Sequence, residues 1–130
     1  MEKTMSATAS PLSWSRITRF ALIAVISNLV IYGIGSLAGA GWEAGGLTIA
    51  WYLVLGATLV PIFIAAGATS LLGLVWKSAA KVMAWIGLIF ALVTVPSVFI
   101  TAPELGTAIA LGSMHIIVGL AWFFGIRPRV

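Results

Sequence analysis

The sequence predicts an all-α integral membrane protein, built as an antiparallel bundle of four transmembrane helices with both termini in the cytoplasm. Of the 130 residues, 62% are apolar and only 8% are charged, whereas about a quarter of the residues in soluble domains are charged. Four apolar segments each approach or exceed the roughly 20 residues that a helix needs to cross the hydrocarbon core. Cations lie before the first segment, between the second and the third, and after the fourth. Both ends of the chain are therefore expected on the same side of the membrane, which requires an even number of spans.

The predicted helices form one transmembrane domain over residues 16–126, which follows a polar cytoplasmic tail over residues 1–15. A chain of this length leaves no room for a second domain of ordinary size. We expect the four spans over about residues 17–39, 48–75, 82–101 and 103–125.

The connections carry residues that end or begin helices. Glycine-rich residues 40–46 predict the first break, and the short basic segment 76–81 predicts the second. Before the fourth span, Pro103 suits the first turn of a helix, and Thr101 and Glu104 have the spacing of a capping box.

Positive charge predicts the orientation, because cytoplasmic flanks collect Lys and Arg. All the cations fall on one set of connections: Lys3, Arg16, Arg19, Lys77, Lys81, Arg127 and Arg129. The opposite connections carry only Glu43 and Glu104. An alternative is a signal peptide cleaved after the motif Ala38–Ala40, which would leave three spans, but the apolar segment before it is longer than signal peptides use.

Four glycines mark the predicted packing seams, which are the helix faces through which backbones approach closely. Gly35 and Gly39 form a G-x-x-x-G pair in the first span, and Gly112 and Gly119 lie on one stripe of the fourth. Helix association in lipid depends on small residues, because the surrounding acyl chains remove the hydrophobic drive between helices. These glycines predict contacts inside one bundle, with a dimerisation face as the alternative.

One polar side chain in each predicted span falls near the membrane midplane when depth is counted at 1.5 Å per residue. These residues, here called the polar layer, are Asn28, Thr58, Thr94 and His115. Only His115 is ionisable, and ionisable residues at that depth are costly and often functional. It is expected either to join helices as a neutral hydrogen-bonded imidazole or to relay protons or contact a substrate. A metal or haem site has less support, because no second ligand lies at that depth.

Two prolines lie inside predicted spans. Pro61 and Pro96 deprive the carbonyl groups of Ala57 and Leu92 of their donors, so each is expected to kink its helix. Such kinks can open a groove for a ligand, but they also occur in purely structural membrane helices.

Basic and aromatic residues predict how the bundle sits at the membrane surface. Six cations form a predicted cytoplasmic ring for anionic lipid headgroups: Arg16, Arg19, Lys77, Lys81, Arg127 and Arg129. Aromatic residues near the span ends predict interfacial anchors: Trp14, Trp42, Trp51, Tyr52, Trp76, Trp85, Trp122, Phe123 and Phe124.

The residue inventory argues against several kinds of chemistry. The absence of cysteine excludes disulfides, thiolate metal sites and cysteine nucleophiles. The three acids are peripheral, and paired carboxylates, a nucleophile elbow and a phosphate-binding loop are missing. We therefore expect no catalytic residue, no metal site and no cofactor. Nucleic acid is not expected as a partner, because the net charge of +4 flanks apolar segments and forms no basic face.

Three segments resemble a known family: Val25–Tyr32, Leu55–Pro61 and Met114–Gly119. They are similar to the small four-helix bacterial membrane proteins grouped as domain of unknown function 6069. The resemblance extends over nearly all of the chain after the amino-terminal tail, and it implies a four-span protein of the bacterial inner membrane. That family has no established activity, so the resemblance assigns no functional residues.

Three classes of function remain after these exclusions. We favour a non-enzymatic structural or accessory subunit, or a self-associating bundle, whose partner is another membrane protein or a second copy of the chain. A small oligomeric transporter or channel that uses the polar layer is the second class. A binder of lipid or of another hydrophobic ligand, with a groove opened at Pro61 and Pro96, is the third.

Overall fold

The computed structural model describes residues 12–129 as four long helices and one short hairpin. The helices are α1 (Trp14–Leu37), α2 (Trp51–Leu72), α3 (Ala79–Thr101) and α4 (Leu105–Ile126), and the hairpin pairs β1 (Glu43–Ala44) with β2 (Leu47–Thr48). At 1.5 Å per residue the helices are about 33–36 Å long. All four are long and apolar enough to cross a membrane.

The predicted number and type of helices are confirmed, and no predicted span end differs from the observed one by more than three residues. The side chain of Ser13 caps the start of α1 by accepting a hydrogen bond from the backbone N–H of Arg16. Of the predicted polar tail, residues 1–11, including Lys3, lie outside the described residues.

The hairpin between α1 and α2 was not predicted, because the glycine-rich sequence indicated only a break. Ala44 pairs with Leu47 across a two-residue turn. The turn residues Gly45 and Gly46 have φ angles of 58° and 78°, which suit a type I′ turn and favour glycine. The hairpin is tied to the next connection, since Gly45 N–H donates to the carbonyl of Thr101.

The capping box predicted for Thr101 and Glu104 is wrong. Thr101 is the last residue of α3, and its hydroxyl donates to the Ser97 carbonyl of its own helix. Pro103 lies outside α4, and Glu104 is the residue that precedes the first turn. The spacing rule failed because Thr101 was still inside a helix, where a threonine hydroxyl bonds a preceding carbonyl.

Helix α4 makes most of the interhelical contacts: it packs along α1 and α3, while α2 packs mainly on α1 and touches α3 and α4 only sparsely. Near the end of the bundle that holds the start of α1 and the end of α4, here called the terminal end, a core joins Ile17, Ala66, Ala84 and Trp122 from all four helices. The opposite end, which holds the hairpin, is called the loop end. Because α2 and α3 have few contacts, the bundle is not closed between them.

Small residues produce the close contacts of α4. A β-carbon placed at Gly119 would lie only 2.7 Å from the β-carbon of Ala91 on α3. At Gly112 it would meet the Phe99 ring at 3.3 Å, and at Gly125 it would meet the backbone of Ile17 on α1 at 3.5 Å. Glycine therefore allows α4 to approach α3 on one side and α1 on the other.

The predicted seam in the first span is corrected by the structure. Gly39 lies beyond the end of α1 with a φ of 88°, and a β-carbon placed there would have no neighbour within 4 Å, so it is a turn residue. Gly35 faces the ring of Trp42, not another helix. Trp42 and Trp122 are 5% and 6% exposed, so neither is the interfacial anchor that the sequence predicted, whereas Trp51 and Trp85 are exposed.

We predict that Gly119→Ala destabilises the bundle by roughly 1–3 kcal/mol, because the new methyl group overlaps Ala91 in a packed interface. Gly67→Ala is the matched control, since a β-carbon there meets nothing within 4 Å and both changes gain the same helix propensity. Thermal unfolding in mild detergent measures the difference. Equal unfolding temperatures for the two variants would show that the contact between α3 and α4 is looser than described.

Candidate functional site

A cavity of about 690 Å³ lies where α2 and α3 fail to pack. Its walls are α2 and α3, its back is α4, and Asn28 is the residue that α1 contributes. The cavity reaches the outer surface of the bundle, because Leu53, Ile86 and Phe90 line it and are also exposed. Its lining is predominantly apolar.

The four residues of the polar layer all line this cavity. Asn28 and Thr58 are buried, with 1% and 2% exposure, whereas Thr94 and His115 are half-buried. The Asn28 side chain donates from Nδ2 to the Thr58 hydroxyl over 2.9 Å. This bond joins α1 to α2 inside the membrane-spanning region.

Hydrogen-bond geometry fixes how the Asn28 amide points. The Thr58 hydroxyl gives its single proton to the Val54 carbonyl at 2.8 Å, so it can only accept from Asn28, and the Asn28 atom that faces it is the nitrogen. Oδ1 is then on the other side of the amide. It is buried and has no hydrogen-bond partner among the described residues, an arrangement that costs free energy unless a donor arrives.

His115 does not form the hydrogen bond between helices that was one of its two expected roles. Its Nδ1 lies 2.8 Å from the Leu111 carbonyl of its own helix. Since a carbonyl only accepts, Nδ1 carries the proton, and in the neutral imidazole Nε2 is an acceptor. Nε2 makes no hydrogen bond to any residue in the described range. His115 is half-buried and lines the cavity.

The hydroxyl protons beside the cavity are used within α3. Thr94 donates to the Ala91 carbonyl and Ser97 donates to the Thr94 carbonyl.

Both prolines lie inside helices, as predicted, but only Pro61 lines the cavity, and Pro96 is exposed elsewhere on α3. Within residues 12–129, the cavity lining contains no Asp, Glu, Lys or Arg, and no group of three or more potential metal ligands occurs.

At the loop end, Glu104 ties two connections together. Its Oε2 accepts from the backbone N–H of Gly41 at 2.6 Å and from the Thr107 hydroxyl at 2.8 Å. The Gly41 N–H, and secondarily the Thr107 hydroxyl, hold the pKa of Glu104 below its ordinary value of 4.5, because both donors favour the ionised form. Thr107 in turn accepts from the backbone N–H of Trp42.

Trp42 lies at the centre of the loop end. Its φ of 54° is rare for a bulky residue, and its ring stacks on Tyr32 with centroids 4.3 Å apart. The indole N–H donates to the Ser36 hydroxyl at 2.9 Å. The absence of a side chain at Gly35 leaves room for the Trp42 ring. This glycine therefore allows the connection between α1 and α2 to pack, and it does not bring two helices together.

At the terminal end, three of the six predicted ring cations surround a recess of about 200 Å³: Arg16, Arg127 and Arg129. The Arg16 side chain donates to the carbonyls of Gly125 and Arg127, which joins the start of α1 to the end of α4. Arg19, Lys77 and Lys81 are exposed and do not line this recess. The binding of anionic headgroups by the six cations stays a prediction.

Two interactions at these sites go beyond what the sequence predicted. Trp122 donates from its indole to the Met83 carbonyl at 2.8 Å. Its ring occupies the space beside Gly87, where a β-carbon would overlap the indole nitrogen. The second interaction is the pair of hydrogen bonds that Glu104 accepts, although the sequence places this residue among the peripheral acids. Two sequence signals could have indicated them: the glycine at position 87, and the Glu-x-x-Thr spacing of Glu104 and Thr107 at the start of α4.

A family model described as "Family of unknown function (DUF6069)" matches residues 8–130, which is essentially the whole chain. The chain therefore belongs to this family, as the resemblance predicted. Comparisons with curated proteins and with solved structures found no match. The assignment of a function therefore depends on the geometry of this chain.

We predict that the loop end loosens in acid because Glu104 becomes protonated. A carboxyl whose pKa is lowered by folding stabilises the folded state fully above its ordinary value of 4.5, and this contribution is lost as the pH falls through the lower folded value. The unfolding temperature of the wild type should therefore fall as the pH is lowered from about 6 to values below 4.5, and Glu104→Gln should flatten this fall.

Glu43→Gln is the matched control for that experiment. Glu43 is exposed in β1, and it accepts no hydrogen bond from a described residue, so this variant should keep the acid dependence of the wild type. If Glu104→Gln and the wild type show the same pH profile, the bonds from Gly41 and Thr107 do not depend on the charge.

Proposed function

We propose that this chain is a non-enzymatic, multi-pass membrane protein that binds an apolar ligand from the bilayer in the cavity between α2 and α3. The observation that carries this proposal is the combination of a large apolar cavity with a buried, unpartnered acceptor, Asn28 Oδ1. The polar layer orients the ligand, and the apolar walls supply most of the contact area.

The size and composition of the cavity support a ligand of this kind. Pockets that enclose small molecules measure about 300–1,000 Å³ and combine apolar walls with a few polar groups. This cavity has a volume of about 690 Å³, and its predominantly apolar lining contains the polar layer together with Ser97 and Thr101. Its position between helices favours entry from the membrane, because Leu53, Ile86 and Phe90 form an apolar rim.

The physics of the bilayer also favours an occupied cavity. Lipid does not drive two apolar helix faces together, so nothing forces α2 onto α3. Acyl chains can cover the apolar walls, but they offer no donor to Asn28 Oδ1, and an unpaired polar group is costly in hydrocarbon. A bound molecule with an apolar body and a hydrogen-bond donor would cover the apolar walls and also give Asn28 Oδ1 a partner.

A structural or accessory role is the second candidate, and it rests on a different observation. Gly33 on α1, and Gly56 and Gly67 on α2, have no neighbour within 4 Å of a β-carbon built on them. Small residues without neighbours inside the bundle are suited to close contact with a helix of another protein or of a second copy. This role is compatible with ligand binding, because these glycines are not part of the cavity lining.

Transport of ions has less support than ligand binding. A channel or proton-coupled transporter needs a polar route to both surfaces, and the cavity lining among residues 12–129 contains no acidic or basic residue besides His115. The non-enzymatic assignment is supported by the same lining, which presents no pairing of a nucleophile with a base.

We further propose an antiparallel arrangement in a bacterial inner membrane, with the terminal end in the cytoplasm, because the cations at Arg16, Lys77 and Arg127 follow the positive-inside rule. The exposed cations then face anionic lipid headgroups. Reporter fusions at both termini should give the cytoplasmic signal. A periplasmic signal from either terminus would contradict this orientation.

The binding proposal predicts that filling the cavity blocks a ligand. In mild detergent, 1-dodecanol should raise the unfolding temperature of the wild type in a saturable way, because a ligand that binds only the folded state stabilises it. Ala57→Phe should reduce this rise at least several-fold, since Ala57 lines the cavity.

The matched control is Ala68→Phe, which adds the same ring to an exposed alanine on α2 outside the cavity. It should respond to 1-dodecanol as the wild type does. An identical response from both variants would show that the alcohol acts on the micelle or elsewhere on the protein, and the cavity would not be a binding site.

A further inference from the structure

We propose that the ligand of the cavity is an apolar molecule that carries a hydroxyl group and donates its proton to Asn28 Oδ1. This inference rests on the proposed function and specifies the chemistry of the ligand. It follows from counting the donors and acceptors that the polar layer leaves unused.

The donors of the polar layer are almost all consumed by the protein itself. The hydroxyls of Thr58 and Thr94 give their single protons to backbone carbonyls, and so does the nearby hydroxyl of Ser97, which also lines the cavity. Nδ1 of His115 donates to the Leu111 carbonyl. The second N–H of the Asn28 amide is the one donor in this layer without a partner among the described residues.

The unused groups are mostly acceptors. Asn28 Oδ1 is buried and has no partner among the described residues. His115 makes its one hydrogen bond within the described range through Nδ1, so Nε2 is free to accept when the imidazole carries a single proton. Thr94 and Ser97 also line the cavity, and a hydroxyl oxygen can still accept after it has donated its proton. A complementary ligand must therefore present a hydrogen-bond donor.

The surroundings limit which donor is suitable. Apolar side chains such as Leu53 and Pro61 on α2 and Met83 and Phe90 on α3 make up most of the cavity lining. A charged ammonium group would therefore lose its hydration there without a counter-ion. A carboxylate would place its own acceptors against Asn28 Oδ1. Ethers and ketones accept but do not donate.

A hydroxyl group satisfies this site with a single atom. It donates to Asn28 Oδ1 and can accept from the remaining N–H of the same amide or of another ligand group. It also carries no charge, so its cost of entering an apolar cavity is modest once the hydrogen bond forms. The geometry therefore points to an alcohol or a phenol with an apolar body.

The test compares two isomers, 1-dodecanol and methyl undecyl ether, which share a formula and differ in the hydroxyl proton. With the wild type in mild detergent, the alcohol should reach half-saturation of its thermal stabilisation at about three- to tenfold lower concentration than the ether, as one net hydrogen bond implies. Asn28→Leu should abolish this preference. Ser113→Ala, which removes a hydroxyl outside the cavity, should keep it.

Each outcome of the comparison has a separate meaning. If alcohol and ether stabilise the wild type equally and Ala57→Phe weakens both, the hydroxyl inference is wrong and the cavity still binds apolar ligands. If neither compound stabilises the wild type, the proposed function itself fails. Stronger stabilisation by dodecanoate than by dodecanol would overturn the assignment of free acceptors. The wild-type comparison stands even if Asn28→Leu does not fold.

Discussion

The close packing of α4 against α1 and α3 is the constraint on which the rest of the bundle depends. Gly119 brings α4 onto Ala91 of α3, and Gly125 brings it near Ile17 of α1. One helix thus holds two neighbours, and α2 attaches mainly to α1. In water, the hydrophobic effect would close the remaining gap, but in lipid no such force acts between apolar helix faces. The cavity is a consequence of this uneven pairing.

The hydrogen bond from Asn28 to Thr58 connects this packing to the chemistry of the cavity. It holds α2 against α1, and the Thr58 hydroxyl, which is committed to the Val54 carbonyl, forces the amide oxygen to the other side. The same contact that stabilises the helix pair therefore leaves an acceptor without a partner. At the loop end, hydrogen bonds of Glu104 and Trp42 hold the connections together. The structure of the loop end therefore does not depend on contact between α2 and α3.

The sequence predicted the helices well because hydropathy and charge act on every residue of a span, and each span needs about 20 apolar residues. Depth counting also selected the four polar-layer residues, which the structure brings to one cavity. Depth counting did not predict how each side chain is oriented. Whether His115 forms a hydrogen bond with its own helix or with a neighbouring helix depends on its side-chain torsion angles. The seam predicted at Gly35 and Gly39 is wrong because a G-x-x-x-G pattern gives no information on where α1 ends, and the burial of Trp42 depends on an uncommon backbone angle.

The most direct test of the account measures whether α2 and α3 are apart in a bilayer. The chain has no cysteine, so oxidation of introduced pairs reports distance, since a disulfide needs β-carbons about 3.5–4.5 Å apart. Val95→Cys with Gly112→Cys joins α3 to α4, where a β-carbon at Gly112 lies 3.5 Å from Val95 Cγ1, and should form a disulfide readily. Ala57→Cys with Thr94→Cys, on opposite walls of the cavity, should stay reduced and react only with a longer bifunctional reagent. Equally rapid disulfide formation by both pairs would contradict the existence of the cavity.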